Sequence, residues 1–141
     1  VKDALHECVV QGRRDAVNPA RTGTKAAPHY AFPVSGGEAV VSGTAAHDGP
    51  HIVSVDDFWV DVPPSEGYLL LCENKDRPGM VGAVGTLMGE FGVNIGFMNV
   101  GRHEKRGVAL MVMALDDQLT QEQIERVKEI SGILGVKLAQ L

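Results

Sequence analysis

Apolar and polar positions change period several times along this chain. Residues 1–12 place Ala4, Leu5, Cys8 and Val9 at helical spacing, which predicts a short helix ending before Gly12. The next stretch, 13–30, scatters Arg13, Arg14, Arg21 and Lys25 among Pro, Gly, Thr and Ala and carries no period. From Ala31 strand patterns take over: Glu38 to Thr44, Ile52 to Val55 and Phe58 to Val62, with turns at Ser35-Gly36-Gly37, Asp48-Gly49-Pro50 and Asp56-Asp57. That reads as a small β meander. Pro63-Pro64-Ser65-Glu66-Gly67 cannot continue a central strand and reads as an interdomain linker.

The second half is more regular. Tyr68 to Glu73 is apolar enough for a buried strand, and Met80 to Phe91 sets Val81, Val84, Leu87, Met88 and Phe91 on one helical face. Gly82, Gly85 and Gly89 interrupt that helix at a cost of roughly 1 kcal/mol each against alanine, which predicts close packing against a sheet. Gly92 ends the helix; Val93 to Gly101 is a strand, Arg102 to Gly107 a charged hairpin loop and Val108 to Leu115 another strand. Thr120 caps a second helix with the stripe Ile124, Val127 and Ile130, and Gly135 to Leu141 is the last strand. The order is βαββαβ, an α+β, ferredoxin-like arrangement with both helices on one face of an antiparallel sheet.

Composition narrows the class. With 141 residues the chain is one domain or two small ones, each only marginally stable alone, so a sheet shared with a partner chain would help. A net charge of −5 argues against nucleic acid as the main partner. Cys8 and Cys72 match no metal spacing, and with no long apolar run or signal peptide the expected setting is a reducing cytoplasm away from membranes. The opening at Val1 reads as mid-protein sequence, so the chain is expected to be part of something larger.

Candidate chemistry concentrates at Asn74-Lys75-Asp76-Arg77-Pro78-Gly79 and at Asn94. Pro78 suits a helix start, Gly79 permits close approach to the backbone, and the helix N-terminus at Met80 offers N–H groups and partial positive charge to a carboxylate. Asn74, Asp76 and Asn94 supply acceptors for an ammonium group and amides for a carboxylate. The same residues also serve as ordinary turn formers. Catalysis finds no support: no Gly-x-Gly-x-x-Gly joins a strand to a helix, and the five histidines at 6, 29, 47, 51 and 103 have neither metal spacing nor a nucleophile partner. No catalytic residue, bound cofactor or metal is expected within the chain.

Four segments carry a family resemblance: Asp76-Arg77-Pro78-Gly79, Val81-Gly82-Ala83-Val84-Gly85, Gly92-Val93-Asn94-Ile95 and Val100-Gly101-Arg102. Residues 67–141 resemble an ACT domain, the ligand-binding regulatory module of amino-acid metabolism. Upstream, Val41-Ser42-Gly43-Thr44 and the run from Pro50 to Asp61 are similar to the end of the intervening domain of long-form D-3-phosphoglycerate dehydrogenases, so residues 1–66 would be a partly truncated α+β intervening domain plus linker. The tandem implies the regulatory region of an NAD-dependent enzyme of serine biosynthesis. It also implies L-serine or a similar small amino acid as effector, held at an interface of two ACT domains in a homo-oligomer by Asn74, Asp76, Pro78, Gly79, Met80 and Asn94. Basic residues often stand in the family's strand pair corresponding to His51 to Asp61; here His51 and Trp59 stand there, flanked by Asp56 and Asp57. The regulatory region of an iron-sulfur L-serine dehydratase, and an assembly module without a ligand, fit the same pattern.

Overall fold

A computed structural model of the chain describes residues 29–34, 37–46, 49–63 and 67–140. The expected N-terminal helix, the four basic residues of 13–28, and parts of two turns and of the proline linker lie outside them. The described chain forms two four-stranded antiparallel sheets and two helices.

The first sheet is the expected meander. Strands β1 (His29–Val34), β2 (Gly37–Ala46), β3 (Gly49–Val55) and β4 (Phe58–Val62) lie side by side in chain order. β1 begins two residues before Ala31, where the strand texture becomes visible in the sequence. Asp56 makes the β3–β4 turn with a left-handed φ of 49°. Its Oδ1 accepts from Val40 N at 3.0 Å, while its own N–H donates to Val40 O, so the turn is pinned to β2.

The second unit runs β5 (Tyr68–Lys75), α1 (Met80–Phe91), β6 (Ile95–Arg102), β7 (Val108–Leu115), α2 (Gln121–Lys128) and β8 (Ile133–Gln140), with strand order β6-β7-β5-β8. This is the ferredoxin-like arrangement. Its sheet is apolar on both faces, as the unbroken run Leu69-Leu70-Leu71-Cys72 foretells. Leu70, Cys72, Met111 and Met113 face the helices, meeting Val84, Met88, Ile124 and Val127. Leu69, Leu71, Leu110 and Val112 face the other way and share a core with Val41, Ile52, Val55 and Val62 of the meander. The two sheets are therefore stacked.

Two glycines make that chain path possible. Gly67 enters β5 with φ 117°, and a Cβ there would lie 2.6 Å from Leu115 O. A Cβ on Gly101 would lie 2.2 Å from Trp59 O, so β4 crosses β6 at a distance only glycine permits. The helix glycines behave otherwise. A Cβ on Gly82, Gly85 or Gly89 would meet nothing within 4 Å, which overturns the expectation that they pack against a sheet; they lie on the outer side of α1. The buried stripe of α1 is Met80, Val84, Leu87 and Met88, with Val81 turned to solvent, because the helix begins at Met80 and the core row falls at 80, 84 and 87–88.

Candidate ligand site at the first strand-to-helix turn

The turn from β5 into α1 is built from chain ends that cannot bond to themselves. Gly79 is the N-cap, held at φ 90°, and has no side chain to cap the helix. Pro78 stands just outside it rather than in the first turn. The first intrahelical bond runs from Ala83 N to Gly79 O at 2.9 Å, so the N–H groups of Met80, Val81 and Gly82 have no intrahelical acceptor. Beneath them Asn74 is 3% exposed on the helix side of β5. Its Nδ2 donates to Lys75 O at 2.9 Å, while its Oδ1 is buried and accepts nothing from any described residue. A buried amide oxygen without a donor is costly, and a ligand ammonium would satisfy it.

Asp76 is tied to the opposite side of the turn. Its Oδ2 accepts from Arg102 Nη1 and from Arg106 N, each at 3.0 Å, and its own N–H donates to Gly107 O at 2.9 Å. The Arg106 backbone N–H, and after it the Arg102 guanidinium, hold the Asp76 carboxyl below the ordinary carboxylate range. Arg106 adopts φ 64° to present that N–H. Arg77 reaches across the helix start, donating through Nε to Met80 Sδ at 3.4 Å and through Nη2 to Ser131 Oγ at 3.1 Å and to Ser131 O. A Cβ on Gly132 would stand 3.0 Å from both Arg77 Nη2 and Met80 Sδ, so this glycine leaves room for the arginine.

Over the turn lies a cavity of about 440 Å³ lined by Lys75, Asp76, Arg77, Pro78, Arg106, Gly107, Val108 and Leu134. Three cations and one carboxylate in that lining suit a small zwitterion or anion. Of the six residues expected at the site, Asp76 and Pro78 line the cavity; Asn74, Gly79 and Met80 lie in or under the same turn. Asn94 does not join them. It follows α1, at the far end of the helix and of the sheet: β6 pairs Ile95 with Leu115, which pairs with Tyr68, six residues or roughly 20 Å along β5 from Asn74. Asn94 Nδ2 donates to Asp116 Oδ2 at 2.8 Å. Arg77, Arg102 and Arg106 are the site cations whose roles reading the sequence missed; Arg77 and Arg102 stood in segments already marked by motif, and Arg106 did not.

Elsewhere among the described residues no group of three His, Cys, Asp or Glu could hold a metal ion, and no helix is long and apolar enough to cross a membrane. Cys72 is fully buried, and burial pushes its thiol up to about 12, as suits a small core residue. In the meander, His51 Nδ1 lies 2.5 Å from Asp61 Oδ1 and Asp56 is paired with Lys137 at 3.2 Å.

The ACT domain family profile matches residues 68–132. The chain is 39% identical over 97 residues to D-3-phosphoglycerate dehydrogenase 2, chloroplastic, of Arabidopsis thaliana, covering 69% of this chain and 15% of that protein. It is 39% identical over 98 residues to the D-3-phosphoglycerate dehydrogenase of Synechocystis sp., covering 69% of this chain and 18% of the other. The Methanocaldococcus jannaschii enzyme of the same name is 38% identical over 101 residues, 72% of this chain and 19% of its own length. The chain thus spans less than a fifth of each of these relatives. Each match is longer than the chain from Tyr68 to Leu141, so the likeness reaches back into the meander. Residues 68–132 are an ACT domain, and the chain belongs with the ACT-bearing region of the D-3-phosphoglycerate dehydrogenases.

Proposed function

We propose that this chain is the serine-sensing part of an NAD-dependent D-3-phosphoglycerate dehydrogenase, with residues 1–66 the end of its intervening domain and 67–141 its ACT domain, working in a reducing, cytoplasm-like compartment. The observation that carries the reading is the β5–α1 turn, where an uncapped helix start and a buried amide oxygen without a donor adjoin a cavity lined by Lys75, Arg77 and Arg106. The α-carboxylate of L-serine would take the N–H groups of Met80 to Gly82, and its ammonium the oxygen of Asn74.

A second copy of the chain completes this arrangement. β6 is an edge strand of eight residues, and on its helix side Met98 and Val100 are 40% and 42% exposed. Exposed apolar edges of this length invite strand pairing. Antiparallel pairing of β6 with β6 of a second copy would set Asn94 of one chain beside Arg102 of the other, and Arg102 is bonded to Asp76. The ligand site would then have Asn94 from across the dimer.

The effector must favour one arrangement of the domains. Asp76 offers the means. A ligand donor other than the ammonium, such as a hydroxyl, competing for its carboxylate would release Arg102, whose neighbours Gly101 and His103 touch Trp59 and Phe58 of the meander, the latter pair with ring centroids 4.7 Å apart. Loosening the hairpin would thereby reach the meander. Titration calorimetry with L-serine, D-serine and glycine tests the reading. L-serine should bind with moderate affinity and D-serine and glycine more weakly, and Asn74→Ala should remove the heat. Absence of heat and of thermal stabilisation with millimolar L-serine would eliminate serine as the effector.

A further inference from the structure

The junction of the two sheets holds a second cavity, of about 410 Å³, along the β8 edge of the ACT sheet, lined by Asp56 and Phe58 of the meander and reaching Lys128 at the end of α2. We propose that it is a binding site for a small organic cation, an ammonium or guanidinium carried on an apolar body, recognised by Glu73. Phe58, Leu71, Leu110 and Val136 give the cavity an apolar lining. Four charged residues line it, and three are already committed. Asp56 is used by Val40 N and Lys137, Lys137 by Asp56, and Lys128 by Glu125 at 2.8 Å. Glu73 alone makes no ion pair or hydrogen bond with any described residue. The charge left over is negative, so the fitting ligand is positive.

Register explains why there is room. Glu73 pairs with Gly135 across the β5–β8 ladder, and Gly135 leaves its side of the pair empty. A Cβ on Gly135 would meet only Glu73 Cβ at 3.9 Å and Oε2 at 4.0 Å, ordinary contact distances, and its φ is one any residue adopts. The glycine is thus not demanded by the backbone. Its absent side chain keeps the floor beside a carboxylate open. This site lies across the sheet from Asn74 and is independent of the serine reading.

Benzylamine, with benzyl alcohol as its neutral isostere, tests the proposal by amide chemical-shift mapping of the chain. Benzylamine should shift Phe58, Leu71 and Gly135, and the alcohol should bind up to about fivefold more weakly, as should benzylamine to Glu73→Gln, the upper end of the effect of one exposed charge pair. Gly135→Val should fill the floor and abolish the shifts while the rest of the spectrum stays native. Equal binding of amine and alcohol, unchanged affinity in Glu73→Gln, no shifts at millimolar amine, or shifts confined to Asn74 and Met80 would each overturn the proposal.

Discussion

The two helices of the ACT unit cover the same sheet but are begun in opposite ways. α2 opens with a capping box: Thr120 Oγ1 accepts from Gln123 N at 3.2 Å and Gln123 Oε1 from Thr120 N at 2.8 Å. Glu122 lies in its first turn and Arg126 and Lys128 in its last, each on the side its dipole favours. Gln121 and Lys128 both bond Glu125, and Arg126 reaches Glu90 of α1. α1 has none of this. It starts from a left-handed glycine with no cap, carries no acidic residue in its first turn and no basic one in its last, and spends three positions on glycine. Burial of Met80, Val84, Leu87 and Met88 holds it in place. The contrast teaches where local stability was given up: at the helix start that follows the ligand-site turn, whose free N–H groups would be occupied if a cap were present.

Filling the outer face of α1 should have the largest effect. Gly85→Ala with Gly89→Ala should stabilise the fold by roughly 1–2 kcal/mol in urea denaturation, since a Cβ at either site meets nothing and glycine is the poorer helix former. Unchanged or lowered stability would mean that this face is covered in solution. The caps come next. Thr120→Ala should cost about 1 kcal/mol through the lost capping box, while Gly79→Asn, which tolerates a left-handed φ, should change stability by only a few tenths. Equal losses at the two caps would erase the distinction between the helices.

Asp76 gives the smallest effect and a pH signature. Its folded pKa lies below its unfolded value near 3.8, so its contribution is present above that value and is lost as pH falls through the folded pKa. Asp76→Asn should therefore lower Tm slightly at neutral pH, and the gap to the unsubstituted chain should close in acid below pH 3.8. A gap that widens on acidification would show that another group carries the latch.

Most of the ACT half was legible from the sequence because its signals are local. The Thr120 cap, the Ile124 and Val127 stripe and the apolar run from Tyr68 to Glu73 each fix an element without distant help. Boundaries slipped where caps reach outward. β6 begins at Ile95 and not Val93, because Val93 N is bound to Met88 O in the helix end. Side chains joined across the chain were not legible. Arg102 reaches Asp76 over 26 positions and Arg77 reaches Ser131 over 54, and no spacing rule links them. Stacking of the meander on the ACT sheet was only half announced: Leu69 and Leu71 require cover on the second face, but nothing local says that Val41 and Ile52 provide it.

The difference between the two helix starts can be read directly by amide chemical shifts during an L-serine titration. The resonances of Met80, Val81 and Gly82, with the side-chain amide of Asn74, should move and saturate together, while those of Gln121, Glu122 and Gln123 stay still because that start is already capped. Shifts absent from the first turn of α1, or no larger there than at α2, would contradict the assignment of this turn as the carboxylate site.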